Sequence, residues 1–204
     1  MDSERIGIMF YHYIEKGGCF MEKSVAEKNK RVILVSGMSG AGKSVATRSL
    51  EDMGYHVIDN FPVQLVSLLV DMIETSIDPR YSYIALSTSA QDFSAFLRLL
   101  KGQNFEVQVL FLDANDSVLL HRYKSTRRTH PLLLSNTCNT LDEAISVERQ
   151  MFSRNLNNSF ITIDTSFLSE KEFKRKLESY FSKEQVPVFS ISFESFGYKY
   201  GVPM

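Results

Sequence analysis

The chain has 204 residues, 44% hydrophobic and 23% charged, which excludes a disordered or low-complexity polypeptide. Its 24 acidic and 23 basic side chains leave a net charge of −1, so no global field draws it onto nucleic acid or an anionic membrane, and any phosphate binding must be local. A chain of this size buries about 70% of its unfolded surface, enough for one main domain with a concave site and no disulfide framework.

Cys19 and Cys138 form no metal-ligand spacing with His12, His56, His121 and His130, and a single cysteine pair fits a reducing cytoplasm. No apolar run approaches the roughly 20 residues that cross a bilayer, and the start Met1-Asp2-Ser3-Glu4 lacks the basic region of a signal peptide. The expectation is a cytoplasmic protein with no membrane partner.

Residues 1–30 are read as a poorly defined extension, because Gly17-Gly18 interrupts any helix and Met21 is an alternative start. From Arg31 short β-branched or apolar runs alternate with segments of helical period. The first strand is expected at Arg31 to Ser36. It runs into Gly37-Met38-Ser39-Gly40-Ala41-Gly42-Lys43-Ser44, which satisfies G-x-x-x-x-G-K-[ST] and is followed by a helix with Ala46, Leu50 and Met53 on one face.

That chemistry requires these residue types. Glycines let successive main-chain N–H groups curl around phosphate oxygens, and the helix N-terminus adds a partial positive charge. Lys43 can reach the β- and γ-phosphates, and the Ser44 hydroxyl can ligate Mg²⁺. The motif is compatible with ATP or GTP, and the bland alternative is a glycine-rich turn that merely contains Lys-Ser.

The second strand, Tyr55 to Asp59, ends in Asp59-Asn60. Pro62 then opens a helix with Leu65, Val66, Leu69, Met72 and Ile73 on one face. The third strand, Tyr83 to Ser87, ends in Ser87-Thr88-Ser89, and the fourth, Phe105 to Leu112, ends at Asp113. All three strand ends are expected to face the phosphate site, with Asp59 and Asp113 as alternative carboxylates for Mg²⁺ and water, or simply as turn and cap residues.

A helix from near Asn115 carries Arg122 and stops before Arg127 and Arg128, inside the acid-free island His121 to His130. Guanidinium groups there could close over a triphosphate, or could be a solvated helix end. His121 and His130 read as extensions of this basic surface, and His56 as a packed ring. Thr140 with Glu143 signals a helix through about Arg154. The fifth strand, Phe160 to Asp164, leads to a capping box at Ser169 and Glu172 and a face of Phe173, Leu177, Tyr180 and Phe181.

Together these elements predict an α/β fold: a P-loop NTPase-type parallel sheet of about five strands, helices on both faces, over residues 31–186. Ligands of such sheets bind at the carboxyl ends of the strands.

The segments SGMSGAGKS (Ser36 to Ser44), LEDMGYHVIDNFP (Leu50 to Pro62), FLDA (Phe111 to Ala114), RYKSTRRTHPL (Arg122 to Leu132), IDTS (Ile163 to Ser166) and FESFGYKYGVP (Phe193 to Pro203) make the chain resemble the RapZ/YvcJ family of bacterial P-loop nucleotide-binding proteins, the RNase adapter proteins. The similarity spans about Arg31 to Pro203. It implies an ATP- and GTP-binding amino-terminal domain with weak hydrolysis, then a second domain used for regulatory contacts with proteins or small RNA. Residues 187–204 read as the opening segment of that second domain, with Val188 as the start of a strand and the chain stopping where the domain would follow.

Two positions depart from the family pattern. Ser87-Thr88-Ser89 stands where relatives carry Asp-x-Arg, removing a carboxylate and a guanidinium that would assist hydrolysis, and Phe61 stands for the usual Leu. The expected function is an ATP/GTP-binding regulatory module. In the alternative, a small-molecule or nucleoside kinase, Arg122, Arg127 and Arg128 stabilise the transferring phosphoryl group and Asp59 orients or deprotonates an acceptor hydroxyl. A nucleic-acid binder using the basic island alone would have too few phosphate contacts.

Overall fold

The computed structural model describes residues 30–126 and 128–182. The extension before residue 30, Arg127, and the expected strand and SFGYKYGVP segment after residue 187 lie outside the described residues.

Five parallel strands form one sheet: β1 (Arg31–Gly37), β2 (His56–Ile58), β3 (Tyr83–Ser87), β4 (Glu106–Asp113) and β5 (Ile161–Asp164), in the spatial order β2-β3-β1-β4-β5. β1 is central, with Val32 opposite Ile84 on one side and Val107 on the other. Val32, Ile33, Leu34 and Val35 are all fully buried, so both faces of this strand are covered, as its unbroken apolar run requires.

The helices are α1 (Lys43–Asp52), α2 (Val66–Thr75), α3 (Phe93–Leu100), α4 (Asp116–Thr126), the single turn α5 (Pro131–Leu134), α6 (Leu141–Ser153) and α7 (Glu170–Phe181). The chain moves from β1 outward to β2, back to β3, and then across β1 to β4. With right-handed crossovers that reversal puts α1 and α3 on opposite faces. α7 packs on α1, and α2 packs on α3. The carboxyl ends of β1, β3 and β4 therefore flank the point where the connections diverge, which is where an open α/β sheet leaves a crevice.

Local chemistry sets the helix ends. α1 stops because Gly54 takes a φ of 83° and its N–H returns to Glu51 O at 2.8 Å while Tyr55 N–H reaches Leu50 O at 2.9 Å. Ser169 and Glu172 form the full capping box of α7, and Thr140 caps α6 through Glu143 N–H at 3.2 Å. α5 is not in the sequence expectation: Pro131 at its first position and the His130 side chain accepting Leu132 N–H start a turn that the island's charge concealed.

Phe93, Phe111 and Phe152 stack edge-on or tilted, with Phe111 and Phe152 centroids 4.9 Å apart, and bind α3, β4 and α6 into one core. Two expected apolar faces are narrower than their periodicity implies. Leu65 and Met72 of the α2 segment are 43% and 45% exposed, because a 3-10 turn at Val63–Leu65 rotates the helix so that Val66, Leu69, Val70 and Ile73 face inward. Tyr180 is likewise on the outer side of α7, whose buried line is Phe173, Leu177 and Phe181.

Candidate functional site

The loop between β1 and α1 is shaped by three glycines with positive φ. Gly37, Gly40 and Gly42 have φ of 137°, 89° and 107°. Gly42 is the left-handed N-cap of α1 and no side chain caps that helix. Among the described residues, the main-chain N–H groups of Gly40, Gly42, Lys43 and Ser44 meet no protein acceptor, while Ala41 N–H closes a turn onto Met38 O at 3.0 Å. A run of donors at a helix N-terminus is the feature that holds phosphate.

Lys43 is half-buried, and its Nζ donates to Gly37 O at 2.6 Å and Met38 O at 3.3 Å. Burial lowers its pKa from the ordinary lysine value, against the charges of Glu148 and Asp59, which raise it. An ammonium held by two carbonyls at the rim of its own loop can exchange them for phosphate oxygens. A cavity of about 410 Å³ lies over the loop, lined by Ser39, Gly40, Gly42, Lys43 and Ser44 on one side and by Arg122, Tyr123, Arg128, Thr129 and Pro131 on the other. That volume is in the range of small-ligand sites.

The expected polar groups distribute unequally. Asp59, exposed at the end of β2, accepts a hydrogen bond from Asn60 N–H at 3.1 Å and is close enough for its charge to act on Lys43. Asp113, expected at the site, is instead held by Arg149 Nη1 at 3.0 and 3.1 Å, a guanidinium that also bridges to Asp116. Its carboxylate is committed to α6. Ser87 and Thr88 are buried at the end of β3, and with Ser89, Asn60 and Gln64 they line a second cavity of about 190 Å³.

Among the described residues no three or more His, Cys, Asp or Glu side chains come together as a metal cage. A nucleotide-bound Mg²⁺ needs none, since it keeps several waters and takes one or two protein oxygens besides the phosphates. The Ser44 hydroxyl and the Asp59 carboxylate are of the right chemistry for that.

The basic island divides as well. Arg128 is exposed on the cavity wall. Arg122 also lines the cavity, and it holds the loop with Nη1 on Gly40 O at 3.0 Å and on Thr165 Oγ1 at 3.1 Å, and Nη2 on Thr165 O at 2.7 Å. Burial lowers its pKa, against the Asp164 charge. Arg122 therefore braces the loop backbone with three of its five N–H donors.

His130 corrects the reading as surface charge, since it is fully buried. Its ring lies 5.2 Å from that of Tyr123, and its Nε2 is 3.2 Å from Glu148 Oε2. Burial pushes the Tyr123 phenol up to about 12.

Glu148 is the functional-site residue that the sequence reading missed. It is 3% exposed and accepts Ser39 N–H at 2.8 Å and Ser39 Oγ–H at 2.7 Å. Burial raises its pKa, but the hydrogen bonds from His130 and Ser39 and the Lys43 charge outweigh that and hold the carboxyl below its usual range. One signal was available: on α6 the buried positions are Ala144, Ile145, Glu148 and Phe152, a helical stripe with a single acid in it. His56, at the sheet edge, is exposed and edge-on to Tyr81 at 6.4 Å. No helix among the described residues is long and apolar enough to cross a membrane.

Comparison with known proteins adds the following. The RapZ-like N-terminal domain model matches residues 30–185. A nucleotide-binding protein of Lactobacillus johnsonii is 44% identical over 185 residues, 88% of this chain and 62% of that protein. The nucleotide-binding protein YvcJ of Bacillus subtilis is 34% identical over 189 residues, 89% of this chain and 63% of that protein. The chain thus spans less than two thirds of the length of these relatives. Among solved structures, the tunicamycin resistance protein of Deinococcus radiodurans superposes with a TM-score of 0.51 at 14% identity, covering 74% of this chain and 95% of that one, a likeness of fold.

Proposed function

The chain belongs to the RapZ-like N-terminal domain family, and on that footing we propose that residues 37–44 bind the polyphosphate of a nucleoside triphosphate, ATP or GTP. Lys43 neutralises the outer phosphates, and Arg128 contributes from the facing wall. Mg²⁺ would be held by Ser44 and Asp59 and would supply charge neutralisation between phosphate oxygens. The observation that carries this reading is the set of four main-chain N–H groups without protein acceptors beside the Lys43 ammonium.

The role that fits best is regulatory, with weak hydrolysis or none. Ser87-Thr88-Ser89 supplies no carboxylate or guanidinium at the end of β3, and Asp113 is occupied by Arg149. The bound state would then be read in the cytoplasm by a protein or small-RNA partner, through a second domain of the kind that the family resemblance implies. Calorimetric titration with ATP and with GTP in Mg²⁺ tests the binding step, and absence of heat with both removes it.

One observation favours phosphotransfer as a second reading. The smaller cavity, bounded by Asn60, Gln64 and the Ser87-Thr88-Ser89 turn, has the size and hydrogen-bonding groups for a small hydroxylated acceptor. γ-Labelled ATP offered with a panel of such acceptors separates the two: transfer well above the rate to water selects the kinase.

A further inference from the structure

The two walls of the loop cavity come from distant parts of the chain, and one buried carboxylate touches both. Ser39 belongs to the phosphate loop, whereas Arg128 and Thr129 belong to the connection from α4 to α5 and Pro131 opens α5. Glu148 takes the two Ser39 donors at 2.8 and 2.7 Å, and its Oε2 also lies 3.2 Å from His130 Nε2. His130 Nδ1 accepts Leu132 N–H at 3.2 Å, so that nitrogen carries no proton and Nε2 is the donor toward Glu148.

We infer that Glu148 is a positioning residue that ties the Arg128-bearing segment to the phosphate loop, so that polyphosphate on the loop and the placement of Arg128 over it are linked. The ligand in this inference rests on the triphosphate reading above; the tether itself rests on the geometry. Three donors converge on the carboxylate: Ser39 N–H and His130 Nε2–H share Oε2, and Ser39 Oγ–H takes Oε1. A glutamine keeps all three contacts, its oxygen accepting at the first place and its NH₂ donating to the Ser39 hydroxyl at the second, whereas a leucine of similar size offers no acceptor to any of them. Glu148→Leu therefore leaves both walls unheld. Because linkage is reciprocal, a loop fixed by phosphate also fixes the segment, and a fixed segment favours phosphate.

The test is a double-mutant cycle on the full chain, read by calorimetric titration with ATP and Mg²⁺. Arg128→Ala is expected to weaken binding roughly tenfold in the parent and less than about twofold in the Glu148→Leu background. Equal fold losses in both backgrounds overturn the tether. Limited trypsin cleavage after Arg128, without nucleotide and well below the melting temperature, gives a reading independent of ATP.

Glu148→Leu, and separately His130→Leu, are expected to accelerate that cleavage about fivefold while cleavage at other sites keeps its parent rate. Parallel acceleration at all sites, or none, overturns the proposal. A protein that binds no ATP yet shows the confined acceleration overturns the triphosphate reading and leaves the tether standing; ATP binding without it overturns the tether alone.

Discussion

Gly37 and Leu112 meet so closely at the end of the β1–β4 ladder that a Cβ on Gly37 would stand 2.1 Å from the Leu112 carbonyl oxygen. The same oxygen accepts Met38 N–H at 2.9 Å and so sets the direction in which the loop leaves the strand. Gly37 also has a φ of 137°, which L side chains rarely adopt. Gly37→Ala combines a backbone clash with backbone strain, and a loss of about 3 kcal/mol or more is expected. Urea denaturation reads it, and a midpoint equal to the parent's would mean that the loop can be re-seated without cost.

Lys43→Ala separates binding from folding. The Nζ is bonded to two carbonyls of its own loop and burial already disfavours its charge, so its removal is expected to change stability by no more than about 1 kcal/mol. Triphosphate affinity is expected to fall by about a hundredfold, since a charge-assisted contact to phosphate is lost together with its Coulomb attraction. Calorimetry and thermal melting of the same preparations check both halves, and undiminished affinity would discard Lys43 as a phosphate ligand.

The two strand-end aspartates are predicted to behave differently. Asp113 is tied to Arg149 and Asp59 is exposed near Lys43. Asp59→Asn should raise the Mg²⁺ concentration needed for half-maximal nucleotide binding severalfold, whereas Asp113→Asn should leave it alone and cost about 1 kcal/mol of stability. A magnesium titration at fixed nucleotide distinguishes them, and the reverse pattern would move the metal site to the other side of β1.

Glu148 makes stability depend on acid. Its folded pKa lies below the ordinary 4.5, so the stability that it contributes is complete above that value and is lost as pH falls through the lower folded value. Glu148→Leu is expected to cost about 3 kcal/mol at neutral pH, because it leaves the buried donors of Ser39 and His130 unmatched. The difference between parent and variant should narrow as the pH drops below 4.5, where the unfolded chain's carboxyl takes up a proton that the folded one still excludes. Denaturant curves for both proteins across acid pH measure this, and a gap that stays constant down to the acid limit would show that the charge of Glu148 contributes nothing.

Much of this architecture was legible residue by residue. The five strands of the sheet fall within a residue or two of the runs that their β-branched content marked, and the Ser169–Glu172 and Thr140–Glu143 signals open helices where they stand. These features depend on neighbours a few positions away, so the local sequence holds the whole cause. The same holds for the glycines of residues 37–44, whose backbone shape follows from their lack of a side chain.

The identity of the groups that serve the site was not legible in this way. Arg122, Arg128 and His130 lie within nine residues of one another in one basic run, yet the first lines the cavity while bonded to the loop backbone, the second lines it from an exposed position and the third is buried against a carboxylate. Asp59 and Asp113 end strands in the same manner and meet different fates. What separates them is the order β2-β3-β1-β4-β5 and the packing of α6, which bring Glu148 to Ser39 across 109 positions and Arg149 to Asp113 across 36. The sequence by itself determined where the chain could cradle phosphate, because that is a matter of main-chain donors and adjacent residues. Only the tertiary structure decided which charges stay free to meet it, since a charge is spent or available according to the partner that packing delivers.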